Sequence, residues 1–469
     1  MYLNVLRWSG RTVTLRWAAS WIMATLCASW VALANGGPIL FPDTWTYIAD
    51  GQQLVRGGWP GLARPVFYGL GIEFVHLERS TWPVLLLQAG LVAYMLSLTA
   101  RILGVGCGPL GFPSLVAAVA VLTPVSWYAA HIMPDVFTGV LVLALFALAF
   151  GQDRTSRLET AFIFLLATGS ICVHLTGFAN AGVLCAAILV VRIVWRLGRP
   201  LLPIAAFLLA LLAQLTCSLL LAGQLTLAPK SPPHFMARLL SDGPARDYLN
   251  SVCEQERYRL CQDLDRLPHS ENMILWRYMA ALPEADSRIV RQESSAVVRG
   301  TLRMFPAQVA GHMILNTARQ LVTIDSGTDL NEGDWERLIA NRTFLQRDSE
   351  HTLQMRGVLT ARILSCANAL HGIVMLISLL LCIWLVPSSA VTGDTRIILL
   401  IGAVGIGILT NAFATGAFAG VEGRYGGRII WVLPAAVVLG IMAVRGQSRG
   451  LSTAAPGGKF VQEFFGRAT

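Results

Sequence analysis

Charge is what this sequence has least of. Asp, Glu, Lys and Arg together make up 13% of its 469 residues, roughly half the share of a soluble globular chain. Several chemical signatures are also missing. There is no P-loop, no nucleophile elbow and no zinc-protease helix, so nucleotide hydrolysis and conventional serine or zinc chemistry have no positive signal. No internal repeat stands out, which leaves the inverted-repeat pattern common among transporters without support. Asp43 and Asp50 are seven residues apart and do not form an Asp-x-Asp pair. No A-x-A-like cleavage site follows the first apolar run, about Trp17 to Ala34, although Arg7, Arg11 and Arg16 precede it like a signal-peptide n-region. An uncleaved first span is expected.

What the chain has instead is apolar sequence: 55% hydrophobic residues and a mean hydropathy of +0.59. Apolar runs near 20 residues recur, about the length that crosses a bilayer as a helix. The expected fold class is an all-α polytopic membrane protein of about ten transmembrane helices with a periplasmic loop domain. The spans fall near 17–36, 82–103, 112–130, 135–151, 159–176, 178–196, 201–222, 358–386, 397–418 and 429–445. Arg101, Arg154, Arg157, Arg192, Arg196, Arg199, Arg396, Arg445 and Arg449 then share one side with the three N-terminal arginines. By the positive-inside bias that side is cytoplasmic, with both termini on it. The net charge of +9 follows from this bias and gives no indication of nucleic acid.

The chain accordingly divides into an N-terminal membrane region, 1–222, with a first external loop at 37–81, and an external loop domain at 223–357. Membrane helices at 358–445 and a Gly/Ser/Pro-rich cytoplasmic tail at 446–469 complete it. Within the loop domain, Glu284 to Ile324 reads as helical, and its amphipathic part Phe305–Leu321 suits a membrane interface. His312, Asn316 and Arg319 share one face of it, as a solvated stripe or a substrate contact. Trp276 and Trp335 pack the loop's own core, anchor at the interface or stack on sugars. Cys253 and Cys261, in "CEQERYRLC", are expected to form a disulfide in an oxidising compartment, against free thiols or half of a zinc site. His174 and His371 read as helix-packing histidines.

The candidate chemistry lies at the external ends of spans. "GPILFPDTWTY" places Asp43 after Pro42, and "YAAHIMPDVFTGVLV" places His131, Pro134 and Asp135 in a like position. "GVEGRYGGRIIWVLP" places Arg424, Tyr425 and Arg428 outside, against the charge bias. The bland account is span ends, headgroup contacts and a salt bridge to Glu422. The chemical account is a carboxylate that takes a proton from a hydroxyl beside arginines that hold a phosphate.

These segments resemble the GT-C superfamily of polytopic glycosyltransferases, which use polyprenyl-phosphate-linked sugars. "PDTWTYIADGQQLVRGG" and "ARPVFYGLG" resemble its first acidic loop, "MPDVFTGVLVL" its second acidic motif, and "GRYGGRIIWVLP" its late Arg-Tyr stretch. The likeness covers the first 200 residues and the last 50. It implies that Asp43 is the general base and that Asp135 orients the acceptor or ligates a metal. It implies further that Arg424, with Arg64 or Arg428, stabilises the leaving polyprenyl phosphate, and that Tyr47, Tyr425 and His131 line the substrate. A divalent cation is left open. The partners implied are a polyprenyl-phosphate sugar, an extracytoplasmic glycan, lipid or protein acceptor, and membrane lipids, at a bacterial inner membrane. A transporter or flippase, or a non-catalytic assembly subunit for a lipid-linked envelope glycan, is the competing expectation.

Overall fold

The computed structural model describes residues 2–229, 233–327, 330 and 343–448. Trp335 and the tail beyond Ser448 lie outside the described residues. Among those residues the chain is helical, without strands, and one isolated parallel β-bridge joins Ile39 to His131.

Among the described residues, six helical stretches are long and apolar enough to cross a membrane: Trp82–Ile102, Leu175–Trp195, Leu201–Ala222, Ala361–Val391, Thr395–Gly416 and Gly423–Gly446. Gly111–Leu122 and Pro134–Phe150 are shorter apolar helices. Lipid is the natural solvent for their outer faces. Leu201, Leu208, Leu212, Leu219 and Leu220 of the 201–222 helix are exposed together along one face, a contiguous apolar patch of the kind that marks contact with lipid or a partner. This is a membrane protein.

The helices run in order α1 (Tyr2–Ala28), α2 (Trp30–Asn35), α3 (Thr44–Val55), α4 (Phe67–His76), α5 (Trp82–Ile102), α6 (Gly111–Leu122), α7 (Val125–Ala130), α8 (Phe137–Phe150), α9 (Arg157–Cys172), α10 (Leu175–Trp195) and α11 (Leu201–Ala222). Two expected spans are interrupted. Between α1 and α2 the Ser29 hydroxyl bonds back to Thr25 O at 2.8 Å, a competition with the helix ladder that bends such segments. Between α6 and α7, Thr123 is extended (φ −136°, ψ 163°). Pro124 causes this, because its ring disfavours a helical preceding residue.

The sequence 37–81 is more than a loop. It folds into α3 and α4, which meet at two glycines. A Cβ on Gly51 would lie 2.3 Å from Gly69 O, and one on Gly69 would lie 2.3 Å from Tyr47 O, so only hydrogen permits that approach.

After α11 come α12 (His234–Asp242), α13 (Pro244–Glu256), α14 (Glu271–Met273), a π-helical turn (Ile274–Tyr278), α15 (Met279–Ala281), α16 (Glu284–Met304) and α17 (Pro306–Val322). They bury an apolar cluster of their own, from Met236 and Leu240 to Val297 and Val309. The helical stretch expected over 284–324 is broken at Phe305, just before Pro306. Of the expected polar stripe, two residues converge on Asp242. Asn316, buried, donates to its Oδ2 at 2.9 Å, and His312 Nδ1 lies 4.0 Å from its Oδ1. Arg319 is exposed. The chain ends in α18 (Thr343–Ser349), α19 (Ala361–Thr392), α20 (Thr395–Gly416), α21 (Gly423–Ile430) and α22 (Val432–Ser448).

Cys253 and Cys261 are joined as a disulfide across the end of α13, and the other seven cysteines are free. Closing so short a loop stabilises by about 2–3 kcal/mol on the chain-entropy account. Alkylation of the denatured, unreduced protein should therefore label seven cysteines by mass spectrometry, rising to nine after reduction. Nine labelled before reduction would refute the bond.

Candidate functional site

Two Pro-Asp segments are brought side by side by the isolated bridge. Ile39 N–H donates to Ala130 O at 2.9 Å, and Ile132 N–H donates to Ile39 O at 3.4 Å. Because the pairing is parallel, residues equally far beyond the bridge fall level with each other. Pro42 and Asp43 lie three and four residues past Ile39, and Pro134 and Asp135 lie three and four past His131. "ILFPD" and "HIMPD" are therefore in register, and their carboxylates emerge together.

Both segments of this pairing are pinned by buried amides. Gln354 accepts from Leu40 N–H through Oε1 and donates to Leu40 O through Nε2, both at 2.8 Å. Gln88 donates from Nε2 to Ala129 O at 3.0 Å and to His131 O at 2.9 Å, while its Oε1 accepts from the Tyr68 hydroxyl at 2.9 Å. The Thr44 hydroxyl donates to Ile132 O at 3.3 Å, tying the start of α3 to the second segment.

The arginines arrive from two directions. The turn after α3 is held by Asp50, whose Oδ1 accepts from Gly61 N–H at 2.7 Å. Arg64 follows that turn and donates to Asp43 Oδ1 at 2.5 Å. Arg424 and Arg428 lie one helical turn apart on α21. Arg424 Nη1 is 3.5 Å from Asp43 Oδ2, and its Nε is 3.2 Å from Asp135 Oδ2. Arg428 Nη1 is 3.2 Å from Asp135 Oδ1. One guanidinium thus bridges both carboxylates, and three guanidiniums face two carboxylates in all.

The approach of α21 depends on paired glycines. A Cβ on Gly426 would fall 2.3 Å from Thr323 O, and one on Gly427 would fall 2.3 Å from Asp325 O and 2.4 Å from Tyr128 Oη. That hydroxyl donates to Asp325 O at 2.6 Å and to Arg424 O at 3.1 Å. Gln320 closes the other side: its Nε2 donates to Glu422 O at 2.8 Å, and its Oε1 accepts from Glu422 N–H at 2.9 Å. The Glu422 side chain accepts from Asn272 Nδ2 at 2.5 Å, while Arg424 pairs with Asp43 and Asp135 and Arg428 with Asp135.

Burial separates the two ends of the network. The Arg428 and Asp135 side chains are 0% and 1% exposed, whereas those of Asp43 and Arg64 are 20% and 22% exposed. Asp135 and Arg428 form its inner, structural end; Asp43 and Arg64 its accessible end. Arg428 also donates to Asn411 Oδ1 at 2.8 Å and to Thr176 Oγ1 at 3.0 Å. His174 Nε2 lies 3.2 Å from Arg428 Nη1, and its Nδ1 accepts from Thr176 N–H at 3.2 Å. Burial pushes His131 down to about 4, the pull of Asp135 opposing it and Arg424 adding to it.

Aromatic rings floor the arginines. Arg424 lies 4.1 Å over Phe41, Arg428 lies 4.9 Å over Tyr425, and Arg64 lies 5.7 Å over Tyr47. Tyr47 itself is buried, edge-on to Tyr68 at 5.1 Å, so it supports Arg64 from beneath. All eight residues expected at the site, Asp43, Asp135, Arg424, Arg428, Arg64, Tyr47, Tyr425 and His131, join one cluster. His174, Thr176, Asn411, Phe41 and Gln88 belong to it as well. His174 is a partner of Arg428 rather than a packing residue. Asn411 carried a readable signal as an amide within an apolar helix. His371 also does more than pack: its Nδ1 lies 2.8 Å from Ser326 Oγ.

The residues do not fit a bound divalent cation. Both carboxylates are already neutralised by guanidiniums, and among the described residues no group of three or more His, Cys, Asp or Glu is placed to hold a metal. The arrangement fits an anion. A phosphate entering at the exposed end would meet Arg64 and Arg424, which offer planar, charge-assisted forks.

Removing Arg428 takes from the buried Asp135 one of its two guanidiniums and leaves it Arg424. Arg428→Met should lower stability by about 1–3 kcal/mol, and adding Asp135→Leu should recover part of that loss by removing the carboxylate left underpaired. Thermal unfolding of both variants in detergent checks this; a double variant no more stable than the single one would contradict the pairing. No protein-family model, no curated protein and no solved structure matches this chain.

Proposed function

We propose that this chain is an integral membrane glycosyltransferase of GT-C type. It moves a sugar from a polyprenyl-phosphate carrier to an acceptor outside the cytoplasm of a bacterial cell, across about ten spans with both termini cytoplasmic. The observation that carries the reading is the accessible end of the network, where Asp43 sits between Arg64 and Arg424. A base for a hydroxyl and two clamps for a phosphate lie within one side-chain length of each other.

In this mechanism the guanidiniums of Arg64 and Arg424 are parked on Asp43 until a donor arrives. The donor phosphate takes them over, and the freed carboxylate then accepts the proton of the acceptor hydroxyl. The acceptor oxygen bonds to the anomeric carbon as the bond from that carbon to the phosphate oxygen breaks. Arg424 and Arg64 hold the charge that develops on the leaving phosphate, a role whose removal costs about 3 kcal/mol of barrier, roughly a hundredfold in rate. Asp135, sealed against Arg428, positions Arg424 instead of acting on substrate. Its depth is unsuited to the direct acceptor role expected for it.

A second reading rests on the same ion pairs. A network in which both carboxylates are closed by arginines also suits a non-catalytic subunit of an envelope-glycan assembly, which would keep the fold without the chemistry. Turnover separates the two. Purified protein in lipid discs, given a panel of polyprenyl-phosphate sugars with candidate glycan acceptors, should release free polyprenyl phosphate detectable by mass spectrometry. Asp43→Asn should cut that release at least ~100-fold. Equal release from both proteins would remove Asp43 from the mechanism, and no release from the native protein across the panel would favour the assembly reading.

A further inference from the structure

His234 and Trp276 take no part in the mechanism above, yet both stand beside it. His234 is the first residue of α12, and its ring meets the Trp276 indole edge-on, with centroids 6.1 Å apart. Trp276 occupies the π-helical turn, whose Ile274 and Leu275 are buried while the indole residue is 51% exposed. Such turns insert an extra residue into a helix and recur at functional sites.

Three contacts fix this pair against the segment that leads into Arg424. Phe235 packs on Phe418 at 5.0 Å between ring centroids. Glu271 fills the space over Gly420, where a Cβ would fall 2.6 Å from Glu271 Oε1. Asn272 Nδ2 donates to Glu422 Oε1 at 2.5 Å. The charges of Arg64 and Asp43 both act on the His234 ring; burial and Arg64 push the imidazole down to about 4, with Asp43 opposing. At neutral pH it is therefore an uncharged ring able to accept a hydrogen bond.

A half-exposed indole with an imidazole against it has the chemistry of a sugar site. The negative face of the π-system attracts the polarised C–H groups of a pyranose, and the imidazole suits one of its hydroxyls. We infer that Trp276 and His234 form a carbohydrate subsite, in which a pyranose ring stacks on the indole and one hydroxyl donates to the imidazole. The inference takes the sugar's purpose from the glycosyl-transfer reading, but its binding is testable without turnover.

Saturation-transfer NMR on the full protein in lipid discs, with a panel of methyl pyranosides as probes, tests it. Native protein should transfer saturation to the ring C–H protons of at least one glycoside. Trp276→Ala should reduce this roughly fivefold, the scale of one aromatic contact, while Trp276→Phe keeps part of it and His234→Gln weakens it. This binding is read without turnover, so failure of the subsite and failure of catalysis are read separately. Displacement of the glycoside by an intact polyprenyl-phosphate sugar would assign the subsite to the donor's sugar, and joint occupancy would assign it to the acceptor's. Transfer to no glycoside, or equal transfer in native protein and Trp276→Ala, would overturn the inference.

Discussion

The parallel pairing of Ile39 with His131 sets the geometry of the charged cluster. A parallel bridge aligns residues by their distance from it, so the two Pro-Asp pairs are level because each lies the same number of residues beyond the bridge. A slip of one residue would turn alternate side chains to the opposite side and separate Asp43 from Asp135. Gln88 and Gln354 hold that register by satisfying backbone groups which would otherwise be buried unpaired, each at a cost of about 1–3 kcal/mol. The Thr44 hydroxyl adds a third tie.

From that alignment the ion-pair network follows. Two carboxylates side by side repel each other unless cations intervene, and α21 supplies them one turn apart. The glycines at 426 and 427 let its backbone come against residues 323–325, and Tyr128 fastens it there. The network then grades from closed to open. Arg428 and Asp135 are enclosed with Asn411, while Asp43 and Arg64 retain access. A rigid inner pair that aims a more exposed outer one is the kind of support a reactive site needs.

Much of this was legible in the sequence, because each signal was local. Apolar runs marked the helices, Pro-Asp after an apolar run marked both carboxylates, and arginines against the charge bias marked α21. The spacing of "CEQERYRLC" marked the disulfide. What escaped depends on contacts between distant residues. Nothing local in Gln354 indicates that it clamps Leu40, and nothing near His174 indicates that Arg428 ends beside it. The bridge register was present in "ILFPD" and "HIMPD", but only the knowledge that the segments touch makes the match meaningful. The unequal burial of the two carboxylates, which gives them different roles, is likewise a property of packing alone.

The central claim is that a lipid phosphate takes Arg64 and Arg424 away from Asp43. The most direct measurement is a structure of the protein in lipid discs with a long-chain polyprenyl monophosphate. The account predicts phosphate oxygens within about 3 Å of both guanidiniums, the reach of a charge-assisted hydrogen bond, with Asp43 released and Arg428 still closed on Asp135. A phosphate bound elsewhere, with Arg64 and Arg424 still closed on Asp43, would contradict it.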